Sequence, residues 1–444
     1  MHDDLRTSVA SLFPSLLTDL EDLIRIPSVS SPAFDPGEVV RCAEATGALL
    51  TAAGFEGIRL LTVPGAHPAV YGEIPGPPGA PTVLLYAHTD VQPAGPEDEW
   101  TAGAFEPRVH DGRLYGRGSS DNKCGIVVHT GAVRAFGGTP PVGLKVFVEG
   151  EEEVGSANFG AYLDEYGDLL AADVVVVPDS VNWAVGRPAI TTSLRGLVGM
   201  VVEVRVLGTG IHSGLAGGPI PDALTCLSRM LATLHDGRGV VAVPGLDGFE
   251  SPPLDLTEET LRADYPLRPG VQLIGDGALT SRLWTRPSIA VLAVDAPRVD
   301  QAINQLVPVA RAKVSLRTAP GQDTAAATAA LRDHLTAAAP WGAEVTVRVV
   351  EQSESFLADP SDPRLAAFRE ALAEAWGTAA LEIGVGGTIP IMAEVHRVFP
   401  DAAIVLTAVM DPTSGAHGPD ESVDLGDLQK AVLAEAIALR LLAG

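Results

Sequence analysis

Apolar residues in the first 180 positions follow two spacings, one typical of helices and one typical of strands. Helical spacing occurs over 11–26 and 38–53, and the second stretch ends at Gly54, as helices often do. Further helices are predicted from Asp121 to Phe136 and from Ser156 to Leu170. Apolar runs predict strands over 57–63, 69–74, 82–87, 144–149 and 173–178. Apolar strands that alternate with helices indicate an α/β domain whose sheet is covered on both faces.

The pattern changes near Ile190. Residues 191–208 predict one long strand with half-polar alternation, and a helix is predicted over 221–234. After a Gly-, Pro- and Asp-rich insertion from Gly237 to Arg286, strands are predicted over 288–294, 311–317 and 345–351, with a helix over 324–339. This order is that of a ferredoxin-like α+β layer. From Asp362 the α/β pattern resumes and ends in a helix over 425–442. We therefore expect an α/β domain of residues 1–189 and 353–444, interrupted by an inserted α+β domain, 190–352.

The composition bounds the partners and the location. The chain has 444 residues, a formal net charge of -26 and a pI near 4.6. Such an acidic surface repels phosphate backbones and anionic lipids, so neither nucleic acid nor membrane partners are expected. Cys42, Cys124 and Cys226 are too few for a disulfide framework or a thiolate zinc site. The first residues lack the pattern of a signal peptide, and a cytoplasmic location is expected.

Acidic and histidine side chains follow the apolar strands of the first domain. The strand over 82–87 leads into His88 and Asp90, the strand over 144–149 into three consecutive glutamates, and the strand over 173–178 into Asp179. Asp121 stands at the start of a predicted helix. Because ligands bind at the carboxyl ends of strands in open α/β sheets, we expect these side chains to share one crevice.

A cation would compensate the repulsion within such a group of carboxylates. Each motif alone is also compatible with an ordinary solvated loop, and the three glutamates with a surface turn. Several such strand ends in one domain favour a metal site. One imidazole with several carboxylates and no thiolate suits zinc, manganese or cobalt.

The order of the motifs is similar to that of a known family. The segments YAHTDVQP, GRGSSDNKCG, EGEEEVGS, VVPDS, HSG and GAHG occur in this order along the chain. Together they resemble the dinuclear metallopeptidase family of carnosinases, cytosolic dipeptidases, carboxypeptidase G, aminoacylase-1 and succinyl-diaminopimelate desuccinylase. HTDVQPAGPEDEW followed by FEP is closest to the dipeptidase branch. The resemblance implies a zinc-exopeptidase-like catalytic domain, with a mixed sheet between helices, and an inserted ferredoxin-like domain that serves as lid and dimer contact.

The resemblance also implies roles for individual residues around two divalent cations, with zinc the expected metal. His88 and Asp179 would hold one ion, Glu153 and His417 the other, and Asp121 would bridge them. Asp90 would orient His88, Glu152 would be the general base, and His212 would reach the active site of a partner subunit to stabilise the oxyanion. The peptide bond after Asp121 would be cis. We expect Glu152 and Glu153 to lie on extended backbone, so that they point to opposite sides.

Substrate contacts are implied less directly. Arg317 matches an arginine that grips the free carboxylate of the substrate, although a salt bridge within the lid is an equal alternative. Asn304 and Gly387 match other substrate contacts, and Arg195 is interpreted as structural. In this chain GVGGTIP, residues 384–390, stands where dipeptidase relatives have Arg-Glu-Gly-Gly-Ser-Ile-Pro, so the subsite for the carboxyl-terminal side of the substrate differs.

The leading hypothesis is a metal-dependent hydrolase that cleaves the amide bond of dipeptides or small peptide-like substrates, working as a homodimer. An N-acyl-amino-acid deacylase or carboxypeptidase is the alternative within the same family. A catalytically silent binding relative is the alternative outside enzymes, and the intact set of implied residues argues against it. No role is assigned to Glu151 or to the insertion over 237–286.

Overall fold

The computed structural model describes residues 2–265, 267–387 and 389–444. The helices are, in chain order, α1 (Asp3–Ile24), α2 (Pro36–Ala53), α3 (Lys123–Ala135), α4 (Phe159–Leu170), α5 (Ser213–Ala216), α6 (Ala223–Ala232), α7 (Glu258–Asp264), α8 (Leu279–Trp284), α9 (Thr324–Ala337), α10 (Pro363–Trp376), α11 (Pro390–Val398) and α12 (Leu425–Leu442). The strands are β1 (Glu56–Leu61), β2 (Ala69–Ile74), β3 (Thr82–His88), β4 (Arg108–His110), β5 (Arg113–Tyr115), β6 (Gly143–Glu149), β7 (Val174–Val181), β8 (Ala189–Leu194), β9 (Gly196–Arg205), β10 (Ile211–His212), β11 (Ser288–Asp295), β12 (Gln305–Leu306), β13 (Val309–Thr318), β14 (Glu344–Ser353), β15 (Phe356–Leu357), β16 (Leu381–Val385), β17 (Ala403–Met410) and β18 (Ser422–Asp424).

The chain divides into two compact units. The first contains residues 2–192, Ala358–Ile383 and Pro390–Gly444. The second contains Ser193–Leu357 together with the short segment Gly384–Ile389. A segment of six residues that begins with the last two residues of β16 thus belongs to the second unit, which the sequence pattern did not indicate.

The first unit is built on a mixed sheet with the strand order β1-β2-β6-β3-β7-β17-β8. The pairs β3–β6, β3–β7 and β7–β17 are parallel. Both faces are covered, because alternate residues of β3 enter different clusters. Leu85 and Ala87 join the large core formed with α1, α2, α3, α10 and α12, whereas Tyr86 lies against Phe147 and Phe159. The α/β architecture predicted for this part of the chain is confirmed.

The second unit carries an antiparallel sheet in the order β11-β13-β9-β14. Helices α6 and α9 cover one face, and their apolar side chains pack against Val198, Met200 and Val202 of β9. Along the chain the elements run β9, α6, β11, β13, α9, β14, which is a ferredoxin-like connectivity. The last part of the insertion, including α8, belongs to this unit.

Two predicted elements differ from the structure by more than a few residues. The single strand predicted over 191–208 is two strands, β8 and β9, which lie in different sheets and meet at Arg195. The alternation of apolar and polar residues continues through Arg195, so the sequence gives no sign that the partner strand changes there. Helix α1 begins at Asp3 instead of residue 11, because Leu5 and Val9 extend the buried face and the helix continues through Pro14. Among the described residues, no helix combines the length and apolar character that crossing a bilayer requires.

Candidate metal centre

The predicted strand-end residues meet at one edge of the first unit's sheet. Strands β3, β6 and β7 are neighbours and parallel, so their carboxyl ends lie side by side. His88 is the last residue of β3, and Glu152 and Glu153 follow β6 in a short 3₁₀ turn. Asp179 lies within β7, not after it as predicted. Asp121 lies before α3, with Asn122 between it and the first helical residue.

The first cluster consists of His88, Asp121 and Asp179, whose donor atoms all lie within 4.8 Å of one another. Nε2 of His88 is 3.2 Å from Oδ1 of Asp121 and 3.8 Å from Oδ2 of Asp179. All three side chains are largely buried. The side chain of Asn122 fixes Asp179 by donating to its Oδ1 at 2.9 Å, and the peptide bond between Asp121 and Asn122 is cis, as expected.

The second cluster shares Asp121 with the first and adds Glu153 and His417. Nε2 of His417 is 3.0 Å from Oδ2 of Asp121 and 3.2 Å from Oε2 of Glu153. The two oxygens of Asp121 therefore face different histidines, which is the arrangement of a bridging carboxylate. Gln92 holds Glu153, because its side-chain amide donates to Oε2 at 2.8 Å and its backbone N–H donates to Oε1 at 3.2 Å.

Asp90 organises both sides of the crevice. Nδ1 of His88 lies 3.0 Å from the backbone carbonyl of Asp90 and 3.4 Å from its carboxylate. A proton on Nδ1 then leaves the lone pair of Nε2 directed toward Asp121. The Asp90 carboxylate also accepts from the backbone N–H groups of Glu152 and Glu153, at 3.2 and 3.0 Å. One buried carboxylate thus sets the imidazole and the turn that carries the glutamates.

The donor set fits a pair of divalent cations. Nε2 of His88 is buried and forms no hydrogen bond with any described residue, although oxygens of Asp121, Asp179 and Glu152 lie within 4 Å. A buried acceptor that faces several carboxylate oxygens is costly unless a cation lies between them. Imidazole nitrogens with carboxylate oxygens are donors that zinc, manganese and cobalt accept.

The pKa values reflect the same crowding of negative charge. The hydrogen bonds of His417 with Asp121 and Glu153 raise its pKa to about 10. Burial opposes protonation of His88, but Asp121 and Asp90 outweigh it and raise the pKa of His88 well above the usual value. Burial, reinforced by the charges of Asp121 and Glu153, raises the pKa of Asp179 to about 7. A cluster that draws protons this strongly also attracts metal cations.

Glu152 lies beside the first cluster, with Oε2 3.9 Å from Nε2 of His88. Burial raises its pKa well above that of an ordinary glutamate, and the nearby carboxylates add to the effect. The expectation of extended backbone here is wrong, because residues 152–154 form a 3₁₀ turn. Glu152 and Glu153 still face different clusters, because consecutive residues of such a turn are rotated by about 120° around its axis.

Glu151 has a structural role that the sequence left open. It is buried, and its carboxylate accepts from the backbone N–H groups of His67 at 3.1 Å and Asn158 at 2.9 Å. Its backbone carbonyl accepts from the N–H of Ser156 at 3.0 Å. Glu151 therefore anchors the start of the turn to the body of the unit.

Glu421 is the main site residue that the sequence analysis missed. It is fully buried and accepts hydrogen bonds from Nη1 of Arg117 (2.7 Å), from the backbone N–H groups of Gly118, Ser120 and Asp121 (3.1, 2.9 and 3.0 Å) and from the Ser120 hydroxyl (3.0 Å). It thereby fixes the backbone of Asp121 from the far end of the chain. Arg117 is likewise buried, and its guanidinium supplies the counter-charge of Glu421.

Lys123 is also buried rather than at the surface. Its Nζ donates to the carbonyl oxygens of Leu23 and Ile26 at 2.9 and 2.7 Å. The lysine therefore joins the end of α1 to the start of α3, two positions after Asp121.

Comparison with known proteins agrees with this geometry. A model of peptidase family M20/M25/M40 matches residues 84–440. A cysteinylglycine-S-conjugate dipeptidase of Corynebacterium striatum is 38% identical over 367 residues, which are 80% of this chain and 80% of the relative. The chain belongs to peptidase family M20/M25/M40.

Solved structures of similar fold include M20 peptidases and dipeptidases. Human carnosine dipeptidase 1 aligns with a TM-score of 0.76 and 24% identity, over 99% of this chain and 98% of the other. An M20 family metallo-carboxypeptidase from Sulfolobus solfataricus aligns with a TM-score of 0.75 and 25% identity, over 96% of this chain and 99% of the other. The fold class expected from the sequence is that of these M20 peptidases.

The remaining predicted residues of this M20 chain lie in the second unit. His212 closes the short pairing of β10 with β12, is exposed, and accepts from the N–H of Gly214 through Nδ1 at 3.0 Å. Asn304 is exposed, and its carbonyl accepts from the N–H of Ser213 at 2.9 Å, so it lies next to His212 along this ribbon. Arg317 is half-buried in β13, opposite Ser288 of β11. Gly387 follows β16, and Thr388 of the same loop lies outside the described residues.

Proposed function

We propose that this M20 peptidase is a metal-dependent dipeptidase that hydrolyses the amide bond of dipeptides or small peptide-like substrates. One observation carries the proposal: two donor clusters share the carboxylate of Asp121, and Glu152 stands beside them. The relative from Corynebacterium striatum, a dipeptidase by name, supports this substrate class.

His88 and Asp179 would hold one cation, Glu153 and His417 the second, and Asp121 would bridge both. Two divalent cations are proposed, with zinc the first choice and manganese or cobalt the alternatives. When bound, such a pair polarises a carbonyl group and makes hydroxide available near neutral pH.

Glu152 is proposed as the general base. Its carboxylate takes the proton of the attacking water and then delivers it to the departing amine. Burial raises the pKa of Glu152 above that of an ordinary glutamate, which strengthens its carboxylate as a proton acceptor. Asp90 serves as a positioning residue, since it orients His88 and holds the N–H groups of the turn.

The second unit is proposed to bind the substrate. The guanidinium of Arg317 would pair with the free carboxylate through two parallel hydrogen bonds, and Asn304 and Gly387 would contact the substrate backbone. His212 would stabilise the oxyanion in the active site of a partner subunit. Its exposed position at the end of a short ribbon is compatible with a contact to another copy.

A homodimer through the second unit is part of the proposal. Strand β11 lies at the edge of its sheet, where unpaired backbone groups can accept another strand. Three of its apolar side chains, Val291, Leu292 and Val294, are exposed by 44%, 59% and 46%. A second copy that pairs along β11 would cover them. A cytoplasmic location remains a prediction.

An N-acyl-amino-acid deacylase or carboxypeptidase is the second candidate. It is favoured by the similar metallo-carboxypeptidase and by Gly384 and Val385, which stand where dipeptidase relatives have Arg-Glu, on the side that receives the carboxyl-terminal residue of the substrate. A catalytically silent binding protein would have no need for a glutamate at the position of Glu152.

The test is a substrate panel with the metal-reconstituted protein. Dipeptides are compared with N-acetyl, N-succinyl and N-carbamoyl amino acids, and we expect turnover on dipeptides. The Glu152→Ala variant should lose about 100- to 10,000-fold in kcat while elemental analysis finds its metal content unchanged. Activity on acyl amino acids alone would replace the dipeptidase proposal with the second candidate, and full activity of Glu152→Ala would refute the role of the base.

A further inference from the structure

Arg195 connects two separate segments of the second unit. Its side chain is 8% exposed. Nε donates to the carbonyl oxygen of Gly386 at 3.3 Å, and Nη1 donates to Oγ of Ser288 at 3.0 Å. Nη1 also lies 3.4 Å from the carbonyl oxygens of Arg282 and Arg286. One guanidinium therefore holds the loop that contains Gly387 against the C-terminal end of the insertion, residues 282–288.

The two segments pack so closely that Gly384 and Gly386 have no room for side chains. A Cβ at Gly384 would lie 2.5 Å from Cβ of Trp284. A Cβ at Gly386 would lie 2.6 Å from Nη2 of Arg195 and 3.0 Å from the carbonyl oxygen of Leu283. Gly384, at the end of β16, and Gly386 are thus required by the close approach of residues 283–284, and Trp284 occupies the space beside Gly384.

The same segment also reaches Arg317. Ser288, which Arg195 binds, is the strand partner of Arg317 in the β11–β13 register. Burial and the charge of Arg317 lower the pKa of Arg195 to about 10, so the two cations are near neighbours. A substrate carboxylate bound at Arg317 would reduce the repulsion between the two guanidinium groups. Arg195 would therefore respond to the anionic end of a ligand without contacting it.

We propose that residues 282–288 form a specificity-determining wall for the carboxyl-terminal residue of the substrate, with Trp284 as its apolar surface and Arg195 as the positioning residue that holds it. The inference rests on the proposed substrate contacts of Gly387 and Arg317. It assigns the end of the insertion to substrate selection and favours an apolar side chain on the carboxyl-terminal residue.

The test compares Ala-Leu with Ala-Gly as substrates of the full-length, metal-loaded protein. Trp284→Ala should lower the ratio of kcat/KM for Ala-Leu over Ala-Gly by about 10-fold or more, mainly through KM, because an apolar contact is lost only by the larger substrate. Trp284→Phe should retain most of the ratio. The matched control is Trp341→Ala, since Trp341 is a 64% exposed tryptophan of the same unit and should leave the ratio unchanged.

Arg195→Met should raise KM for both substrates by about 10-fold or more with a smaller effect on kcat, and Arg195→Lys should recover part of the loss, since lysine keeps the charge but not the fork. Metal content should stay unchanged in both variants. Equal losses on Ala-Leu and Ala-Gly in Trp284→Ala, or an unchanged KM in Arg195→Met, would overturn the inference.

Failure of the proposed function would look different. If the wild-type protein cleaves neither dipeptide, the dipeptidase proposal fails. The preference for leucine over glycine at the carboxyl-terminal residue is then measured with N-acetyl-Leu and N-acetyl-Gly as substrates. Isothermal calorimetry of free leucine and free glycine measures the same preference as a difference in affinity, without turnover. A preference for leucine that Trp284→Ala removes supports the wall in either case.

Discussion

The Glu421→Gln variant tests whether a buried ion pair holds the candidate metal centre together. Arg117 and Glu421 are 1% and 0% exposed, and the atoms Nη1 and Oε2 are 2.7 Å apart. Loss of the carboxylate leaves the guanidinium buried without its counter-charge, which costs about 3–5 kcal/mol. In either orientation of the amide its NH2 group faces donors: Arg117 and the N–H of Gly118 on one side, or the N–H groups of Ser120 and Asp121 on the other. The variant therefore gains no compensating bond.

The assay is urea unfolding of the metal-depleted protein, followed by circular dichroism, so that metal binding does not add to the stability. We expect the unfolding free energy to fall by about 3–5 kcal/mol. The control is Glu258→Gln, because Glu258 and Arg262 form an exposed pair whose loss should cost no more than about 1 kcal/mol.

A double-mutant cycle separates the charge from the packing. The double variant Arg117→Met with Glu421→Leu should lose less stability than the sum of the Arg117→Met and Glu421→Leu changes, because removing both partners leaves neither charge buried alone. The part of the loss that remains belongs to the N–H groups of Gly118, Ser120 and Asp121, which have lost their acceptor. An unfolding free energy of Glu421→Gln within about 1 kcal/mol of the wild type would refute the structural role given to Glu421.

Three further predictions concern metal content, pH and assembly. His417→Ala should lower the metal content from about two ions per chain toward one, measured by elemental analysis, and an unchanged content would exclude His417 as a ligand. Burial raises the pKa of Glu149 to about 8, above the roughly 4.3 of an unfolded glutamate, so its contribution to stability is present below about pH 4 and is lost as pH rises to 8. Glu149→Gln should therefore gain stability relative to the wild type between pH 5 and 8 in urea unfolding, and a constant difference would contradict the shift. Leu292→Glu should give a monomer by light scattering while the exposed control Val109→Glu keeps the wild-type mass, and a dimer in both would exclude the β11 edge as the interface.

The part of the site that was predicted from sequence consists of residues that directly follow or end apolar strands. His88, Asp90 and Glu153 could be located because the end of a buried strand is a local feature, visible in a few consecutive residues. Parallel neighbours then bring such ends together without further information. The ferredoxin-like order of the second unit was predictable for the same reason, since each element has its own period.

The residues that were missed depend on contacts distant in sequence. Glu421 lies in a loop without periodicity, and its partners are about 300 positions away. The break between β8 and β9 at Arg195 was missed because alternation does not reveal which strand is the neighbour. The packing of residues 384–389 with the second unit is likewise a tertiary property, and only the glycines there gave a local signal.

The 3₁₀ turn after β6 gives three adjacent glutamates three different environments. Glu151 faces the backbone of the unit, Glu152 faces His88, and Glu153 faces Gln92 and His417. A substitution at one position leaves the other two carboxylates in place. A deletion or insertion of one residue before the turn would instead shift every carboxylate into its neighbour's environment, and anchor, base and ligand would be lost together. A substitution in this segment therefore changes one environment, whereas a change of length changes all three.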